Sequence, residues 1–283
     1  MTKMATAQSD NPLGLVAGSG ALPVRIAATQ ADNIFIIALE DQAEKALESY
    51  PHIISPLGHM KAAADALLAA GCTEMVIIGG IQRPNIEKLD FDEGGQWFLE
   101  QVLAGAHEGD DRLLKVIISY FEMRGLIVRA AQDFLGDDTG KAGALTSHDD
   151  TTHQADIDRA IEVARIMGAQ DVGQSVAVGR RLVLAVEGPE GTDAMLTRLR
   201  DLSPEFLGTG QNKSGVLAKL PKPQQDRRVD IPAIGCRTVE LAASAHLAGI
   251  VFEAGGTLFD DFNAVIALAE QKGLFLLGLE GQS

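Results

Sequence analysis

One loop of this sequence has the composition of a phosphate-handling site. The run Lys219-Leu-Pro-Lys222-Pro-Gln224-Gln225-Asp226-Arg227-Arg228-Val-Asp230-Ile-Pro232 sets a carboxylate among lysines and arginines. From Lys213 to Asp230 there are five cations (Lys213, Lys219, Lys222, Arg227, Arg228) and two anions (Asp226, Asp230), a local balance of +3 in a chain of formal charge −15. Pro221, Pro223 and Pro232 stiffen it, because each fixes φ and removes a backbone donor. A stiff loop of this kind suits an anion held beside a metal ion or a general base. Asp226 is its centre: cations nearby depress a carboxyl pKa and keep it ionised, as a ligand for Mg²⁺ or an orienter of water requires. The competing reading is a structural aspartate salt-bridged to Arg227, Arg228 or Lys222. Asp230 reads as structural.

Three other turns carry groups of interest. Gly18-Ser19-Gly20 follows an apolar run and opens a helical pattern, where backbone N–H groups attract a phosphate or carboxylate. The dinucleotide pattern G-x-G-x-x-G fails, because its third glycine position is Pro23, although Glu40 stands where a ribose-binding carboxylate would be. A tight turn and a nucleotide site both remain open there. Gly79-Gly80-Ile-Gln82-Arg83-Pro84 ends another apolar run, and Arg83 suits a phosphate or base at that strand end. In Glu187-Gly-Pro-Glu190-Gly191-Thr192-Asp193, Thr192 is placed to cap a helix and the N–H groups after Gly191 offer a second anion site. Glu187, Glu190 and Asp193 supply oxygens for a hard cation such as Mg²⁺, or simply favour the helix dipole.

Other chemistries are disfavoured. The six histidines show no H-x-H or H-E-x-x-H spacing, which argues against a zinc or histidine-rich binuclear site. There is no G-x-S-x-G elbow and no P-loop. A net charge of −15 argues against nucleic acid as a partner, so an anionic substrate must meet a local cationic patch or a bound cation. Cys72 and Cys236 are far apart, which reads as a reducing, cytosolic context. Met1 to Asn11 has no apolar core and is not read as a signal peptide, and no apolar run is long enough to span a membrane.

The elements that must position these groups follow from the apolar pattern. Leu13–Ala17, Ile34–Leu39, Glu74–Ile78 and Leu126–Arg129 read as strands, with helices over 21–31, 61–70 and 110–123 between them. Continuous Ile/Val runs separated by helices predict a parallel sheet buried on both faces. This gives a Rossmann-like N-terminal domain over 1–135. Residues 136–150, rich in Gly, Asp, Thr and Ser, read as a linker. A second α/β domain with a mixed sheet is expected over 151–283. Its helices are predicted over 156–167, 192–202, 239–247 and 260–271. A hairpin is predicted at 174–187, turning at Gly179-Arg180, with strands at 215–220, 250–253 and 274–279.

Several segments together resemble one family. They are Leu13-Gly-Leu-Val-Ala-Gly-Ser-Gly-Ala-Leu-Pro23, Gly109-Asp110-Asp111-x-Leu113-Leu114, Asp171-Val-Gly-Gln174 and Leu184-Ala-Val-Glu-Gly-Pro-Glu-Gly-Thr-Asp193. Lys222-Pro-x-Gln225-Asp226-x-Arg228-x-Asp230-x-Pro232-x-x-Gly235 and Gly249-Ile-Val-Phe-Glu-Ala-Gly255 complete the set. From about residue 13 to the C-terminus the chain is similar to the alphaproteobacterial-type UDP-2,3-diacylglucosamine pyrophosphatases (LpxI) of lipid A biosynthesis. The resemblance implies a two-domain, Mg²⁺-dependent enzyme that hydrolyses the diphosphate of its lipid-linked nucleotide sugar to UMP and 2,3-diacylglucosamine 1-phosphate. It also implies water as nucleophile at the β-phosphorus and a homodimer in peripheral contact with the cytosolic face of the inner membrane. The family's essential aspartate falls on Asp226. On this reading Asp226, Glu187 and Glu190 hold the metal. Lys219, Lys222 and Arg228 clamp phosphoryl oxygens, with Asp226, Lys222 and Arg228 taking the catalytic roles. Gly18, Ser19, Gly20, Gly80, Arg83, Gly191, Thr192, Lys219 and Gln225 contact substrate, which the two domains enclose. Ile250, Val251, Phe252, Leu258, Phe259 and Phe262 form either an acyl groove or ordinary core. The alternative is a non-catalytic sensor of a nucleotide sugar.

Overall fold

In the computed structural model, residues 11–31, 33–81, 88–104, 110–202 and 205–281 are described. They divide into two compact units, the first ending at Leu135 and the second beginning at Gly136.

The first unit is a five-stranded parallel sheet. β1 (Leu13–Ala17), β2 (Ile34–Leu39), β3 (His52–Ser55), β4 (Glu74–Ile78) and β5 (Ile127–Val128) pair in the order β3-β2-β1-β4-β5. Every residue of β1 is buried, as expected of a parallel strand covered on both faces. The helices are α1 (Ala21–Gln30), α2 (Met60–Ala69), α3 (Glu93–Ala104), α4 (Asp110–Met123) and α5 (Gln132–Leu135). α2 stops where Gly71 takes φ +84°.

The sequence reading omits β3 and α3, each for a physical reason. β3 is an edge strand with polar residues at both ends, and its register with β2 (Ile36 to His52, Leu39 to Ser55) is a tertiary fact. α3 carries Gly94 and Gly95 in its first turn, and both depress helix propensity. Packing demands them: a Cβ on Gly95 would lie 2.0 Å from the Gly58 carbonyl oxygen, and one on Gly94 2.3 Å from the Tyr120 hydroxyl. The Asp92 carboxylate accepts the Gly95 N–H at 2.9 Å and the Ala62 N–H at 2.8 Å, joining the starts of both helices.

The second unit contains a six-stranded mixed sheet. Its strands are β6 (Gly143–Ala144), β7 (Ser175–Gly179), β8 (Leu182–Val186), β9 (Val216–Lys219), β11 (Gly249–Glu253) and β13 (Phe275–Leu279). A separate parallel pair is made by β10 (Ala233–Ile234) and β12 (Leu258–Phe259). The order is β6-β13-β11-β9-β7-β8, with β9, β11 and β13 parallel and β6, β7 and β8 antiparallel to their neighbours. The helices are α6 (Gln154–Ala169), α7 (Thr192–Leu199), α8 (Cys236–Ser244) and α9 (Phe262–Lys272).

Alternation along the strands sends side chains to two layers. Ala177, Leu217, Ile250, Phe252 and Leu276 pack with Met195, Leu196, Val239, Ala242, Val265 and Ala269 of α7, α8 and α9. Their neighbours Val176, Val178, Val216, Ala218, Val251 and Phe275 face Ile157, Ala160 and Ala164 of α6. Ile250, Val251, Phe252, Leu258 and Phe259 are fully buried, and Phe262 packs against the first layer, so they are core and not an acyl groove. The β7–β8 turn falls one residue later than expected. Arg180 and Arg181 both take positive φ, and buried Asp156 accepts their N–H groups at 3.1 and 2.6 Å.

Residues 136–150 are built into the second unit, where a linker was expected. β6 pairs with β13, the Leu145 N–H donates to the Leu276 carbonyl at 2.8 Å, and the Gly140 N–H to the Thr257 carbonyl at 2.9 Å. A Cβ on Gly140 would lie 2.4 Å from the Phe252 ring. The segment docks by backbone bonds and glycine contact, so it carries no apolar periodicity to read.

Candidate active site

The parallel strands β9, β11 and β13 end on one edge of the second sheet, and β9 ends on Lys219. Lys219 lies in register with Ser175 on one side and Phe252 on the other. The two-residue period places it on the face of Leu217, toward α7 and α8. It is only 7% exposed, and among the described residues no hydrogen bond or ion pair engages its ammonium. Burial pushes its pKa down, and the carboxylates of Glu187, Asp193 and Asp260 pull the other way without bonding it.

Beside Lys219 runs a buried polar chain. The Ser175 and Thr192 hydroxyls are 3.0 Å apart, the Thr192 hydroxyl donates to Glu187 Oε1 at 2.9 Å, and Glu187 Oε2 accepts the Gln174 N–H at 3.2 Å. All three side chains of this chain are at least nine-tenths buried. Thr192 is therefore the first residue of α7 and not its cap. Gly191 takes the cap position at φ +83°. Thr192→Val leaves a buried carboxylate oxygen without its donor and is expected to cost about 1–3 kcal/mol in chemical denaturation.

The loop after β9 is pinned at several points. Lys222 Nζ is 2.6 Å from Asp171 Oδ1, in a pair whose side chains are 11% and 22% exposed. The Gln224 amide donates to the Gly168 carbonyl at the end of α6 at 2.9 Å, and Arg227 bonds Glu253, the last residue of β11, at 2.7 Å. Gln225 Oε1 accepts the Lys222 N–H at 2.8 Å, while its Nε2 is buried with no partner among the described residues. Arg228 holds Asp226: Nε is 3.0 Å from Oδ1 and Nη2 is 2.8 Å from Oδ2. The cationic run is thus not an open patch. Lys213 donates to the carbonyls of Lys272 and Gly273 at the end of α9. Lys219 is the cation of the run that the fold buries without a bonded carboxylate among the described residues.

The carboxylates expected to hold Mg²⁺ are not brought together. Among the described residues no group of three or more His, Cys, Asp or Glu side chains is arranged for a metal ion. Glu187 is engaged as above. Glu190 bonds Arg198 at 3.1 Å, and its own backbone N–H and that guanidinium hold its carboxyl below the usual range. A protein-built three-carboxylate site does not fit. Mg²⁺ is also commonly bound by one or two carboxylates completed by substrate phosphates and water, and the Asp226 carboxylate fits that mode.

In the first unit, the turn after β1 is clasped to the turn after β4, at the point where the strand order reverses. Ser19 and Gly80 exchange backbone bonds of 2.9 Å in both directions, and the Ser19 hydroxyl donates to the Gly80 carbonyl at 2.9 Å. A Cβ on Gly18 would sit 2.5 Å from that carbonyl oxygen. Gly18→Ala is expected to destabilise the protein by about 1–3 kcal/mol, through overpacking that no side chain can relieve, as read from its denaturation midpoint. The Gly20 N–H, where an anion was expected, already donates to Glu44 Oε1 at 3.1 Å. Arg83 and Gly109 lie outside the described residues. Among those described, no helix is long and apolar enough to cross a membrane.

The sequence reading passes over Ser175 and Glu253 as partners of the site, while Asp171, readable either as a further carboxylate or as a turn acid, pairs with Lys222. A family model for the LpxI N-terminal domain matches residues 12–137, and one for the LpxI C-terminal domain matches residues 141–277. The chain is 42% identical over 276 residues to the UDP-2,3-diacylglucosamine pyrophosphatase LpxI of Caulobacter vibrioides, covering 95% of this chain and 98% of that protein.

Proposed function

Because this chain belongs to the LpxI family, we propose that it hydrolyses the diphosphate of UDP-2,3-diacylglucosamine, yielding UMP and 2,3-diacylglucosamine 1-phosphate. The observation that carries the reading is Lys219. A lysine ammonium enclosed at the end of a central strand, with no bonded carboxylate among the described residues, calls for an anion to complete it.

In this proposal Lys219, the unmet Nε2 of Gln225 and the Arg228 guanidinium receive phosphoryl oxygens. Asp226 orients the attacking water by accepting its hydrogen bond. The water oxygen joins the β-phosphorus, one water proton is released to solvent, the bond from that phosphorus to the bridging oxygen breaks, and UMP leaves with that oxygen. Mg²⁺, when bound, would neutralise charge developing on the phosphoryl oxygens. Asp226 is the protein carboxylate assigned to it. Lys222, paired with Asp171, anchors the loop and leaves the clamping to Lys219 and Arg228. The glycine turn of the first unit is assigned to the UMP half. Two acyl chains on the substrate favour a peripheral position at the cytosolic face of the inner membrane, and the family resemblance extends the reading to a homodimer.

The test is to incubate the protein with UDP-2,3-diacylglucosamine in Mg²⁺ or in EDTA and follow UMP. Release in Mg²⁺ and none in EDTA is expected. Equal release in EDTA removes the metal, and tight binding without release leaves a sensor in place of a hydrolase.

A further inference from the structure

The hairpin of β7 and β8 turns on two arginines. Its two-residue loop, Arg180 and Arg181, takes φ +51° and +64°. A loop with φ > 0 at both positions favours Asn-Gly and is costly for other residues. The buried Asp156 carboxylate enforces the conformation by accepting both N–H groups, at 3.1 and 2.6 Å. Those backbone bonds would serve an Asn-Gly turn equally well, so the turn itself does not call for arginine. Strain kept at such an outlier points to the side chains it carries.

Both side chains are exposed, and among the described residues neither guanidinium makes a hydrogen bond or ion pair. Apolar groups surround them. Leu182 is 52% exposed and Val183 41%. Phe206, also exposed, lies beside the turn: its carbonyl oxygen is 3.2 Å from where a Cβ on Gly179 would stand. Unpaired guanidiniums next to apolar side chains suit the boundary of an anionic bilayer, where phosphates meet acyl chains. In a chain of charge −15 the attraction has to come from a local patch of this kind. Strand addition by a second copy is disfavoured on β8. The register with β7 shifts at Ala177 and Val178, and the Arg198 guanidinium already takes the Val186 carbonyl at 2.6 Å.

We propose that the Arg180–Arg181 turn, with Leu182, Val183 and Phe206, is the surface by which this protein sits on an anionic phospholipid bilayer. The inference rests on the hydrolase reading for its motive, since a substrate with two acyl chains is met at a membrane. The turn follows the end of β7 opposite Ser175, about 14 Å along the strand at 3.4 Å per residue. It is therefore an anchor and not part of the candidate active site.

Flotation of the full chain decides the matter, with vesicles of phosphatidylglycerol and phosphatidylcholine in equal parts set against phosphatidylcholine alone. The wild type is expected to float with the first, less so as salt is raised, and not with the second. Arg180→Asn/Arg181→Gly supplies the residues the turn prefers, so its melting temperature is expected to rise by about 2–4 °C. Its affinity for the anionic vesicles falls by about 25-fold, roughly fivefold for each arginine. Leu182→Thr/Val183→Thr keeps strand propensity and is expected to bind about fivefold more weakly at any salt. That variant carries the test should the first fail to fold. Equal flotation with both vesicle types overturns the proposal, as does undiminished flotation of the folded variants. So does a wild-type dimer that Arg180→Asn/Arg181→Gly dissolves while neither protein floats. Turnover of detergent-dispersed UDP-2,3-diacylglucosamine is measured alongside and is expected to be equal in wild type and Arg180→Asn/Arg181→Gly. Flotation without turnover defeats the hydrolase and leaves the anchor standing, whereas turnover without flotation does the reverse.

Discussion

Asp226→Ala is expected to lower release of UMP from UDP-2,3-diacylglucosamine by on the order of 10³-fold while leaving the fold intact. The loss is large because the carboxylate is assigned to the reacting water and to the divalent ion, two roles from which Glu187 and Glu190 are held back by other partners. Glu187 is bonded to Thr192 and Gln174, and Glu190 to Arg198. The fold survives because the loop has other anchors: Lys222 on Asp171, Gln224 on the Gly168 carbonyl and Arg227 on Glu253. The Asp226 carbonyl, which the substitution keeps, accepts the N–H groups of Val229 and Asp230 at 3.1 and 3.0 Å. The measurement pairs turnover with a thermal melt. Activity near the wild-type level in a folded variant would remove Asp226 from the chemistry.

Lys219→Met is expected to lower turnover by about 10²-fold or more, as for loss of a preorganised charge facing a transition state, and at the same time to leave stability unchanged or raised. Burial is the larger influence on this ammonium, so its pKa is lower in the fold than in the unfolded chain, where it is near 10.5. In the window below that value the unfolded chain binds more protons than the folded one. Stability therefore rises with pH through the window as the penalty on the buried charge is relieved. Methionine fills similar space without charge and should flatten that rise. A gain in stability with a loss of rate is what a residue kept for function predicts. Lys219→Met with full turnover, or with a steep loss of stability, would mean that the lysine only braces the acids around it.

Much of the architecture was readable from local pattern. Leu13–Ala17, Ile34–Leu39 and Glu74–Ile78 are continuous apolar runs, and only a strand covered on both faces needs such composition. The omissions share a cause. β3, β6, β10 and β12 span four residues or fewer, too short for a period to show, and their existence depends on a neighbouring strand or loop offering its edge. α3 was hidden by two glycines that lower propensity and that tertiary contact requires.

The sequence by itself determined which chemical groups the loops carry and, through their order and spacing, the family. It did not determine who pairs with whom. As a structural aspartate Asp226 could pair with Arg227, Arg228 or Lys222, and the fold brings the Arg228 guanidinium onto it. Lys222 goes to Asp171, 51 positions away, and Arg227 to Glu253, 26 positions away. Lys219 is left buried with no bonded carboxylate among the described residues. The reason is distance: an ion pair forms within a few ångströms, and strand register, helix ends and loop anchors set those ångströms between residues whose separation along the chain says nothing about them.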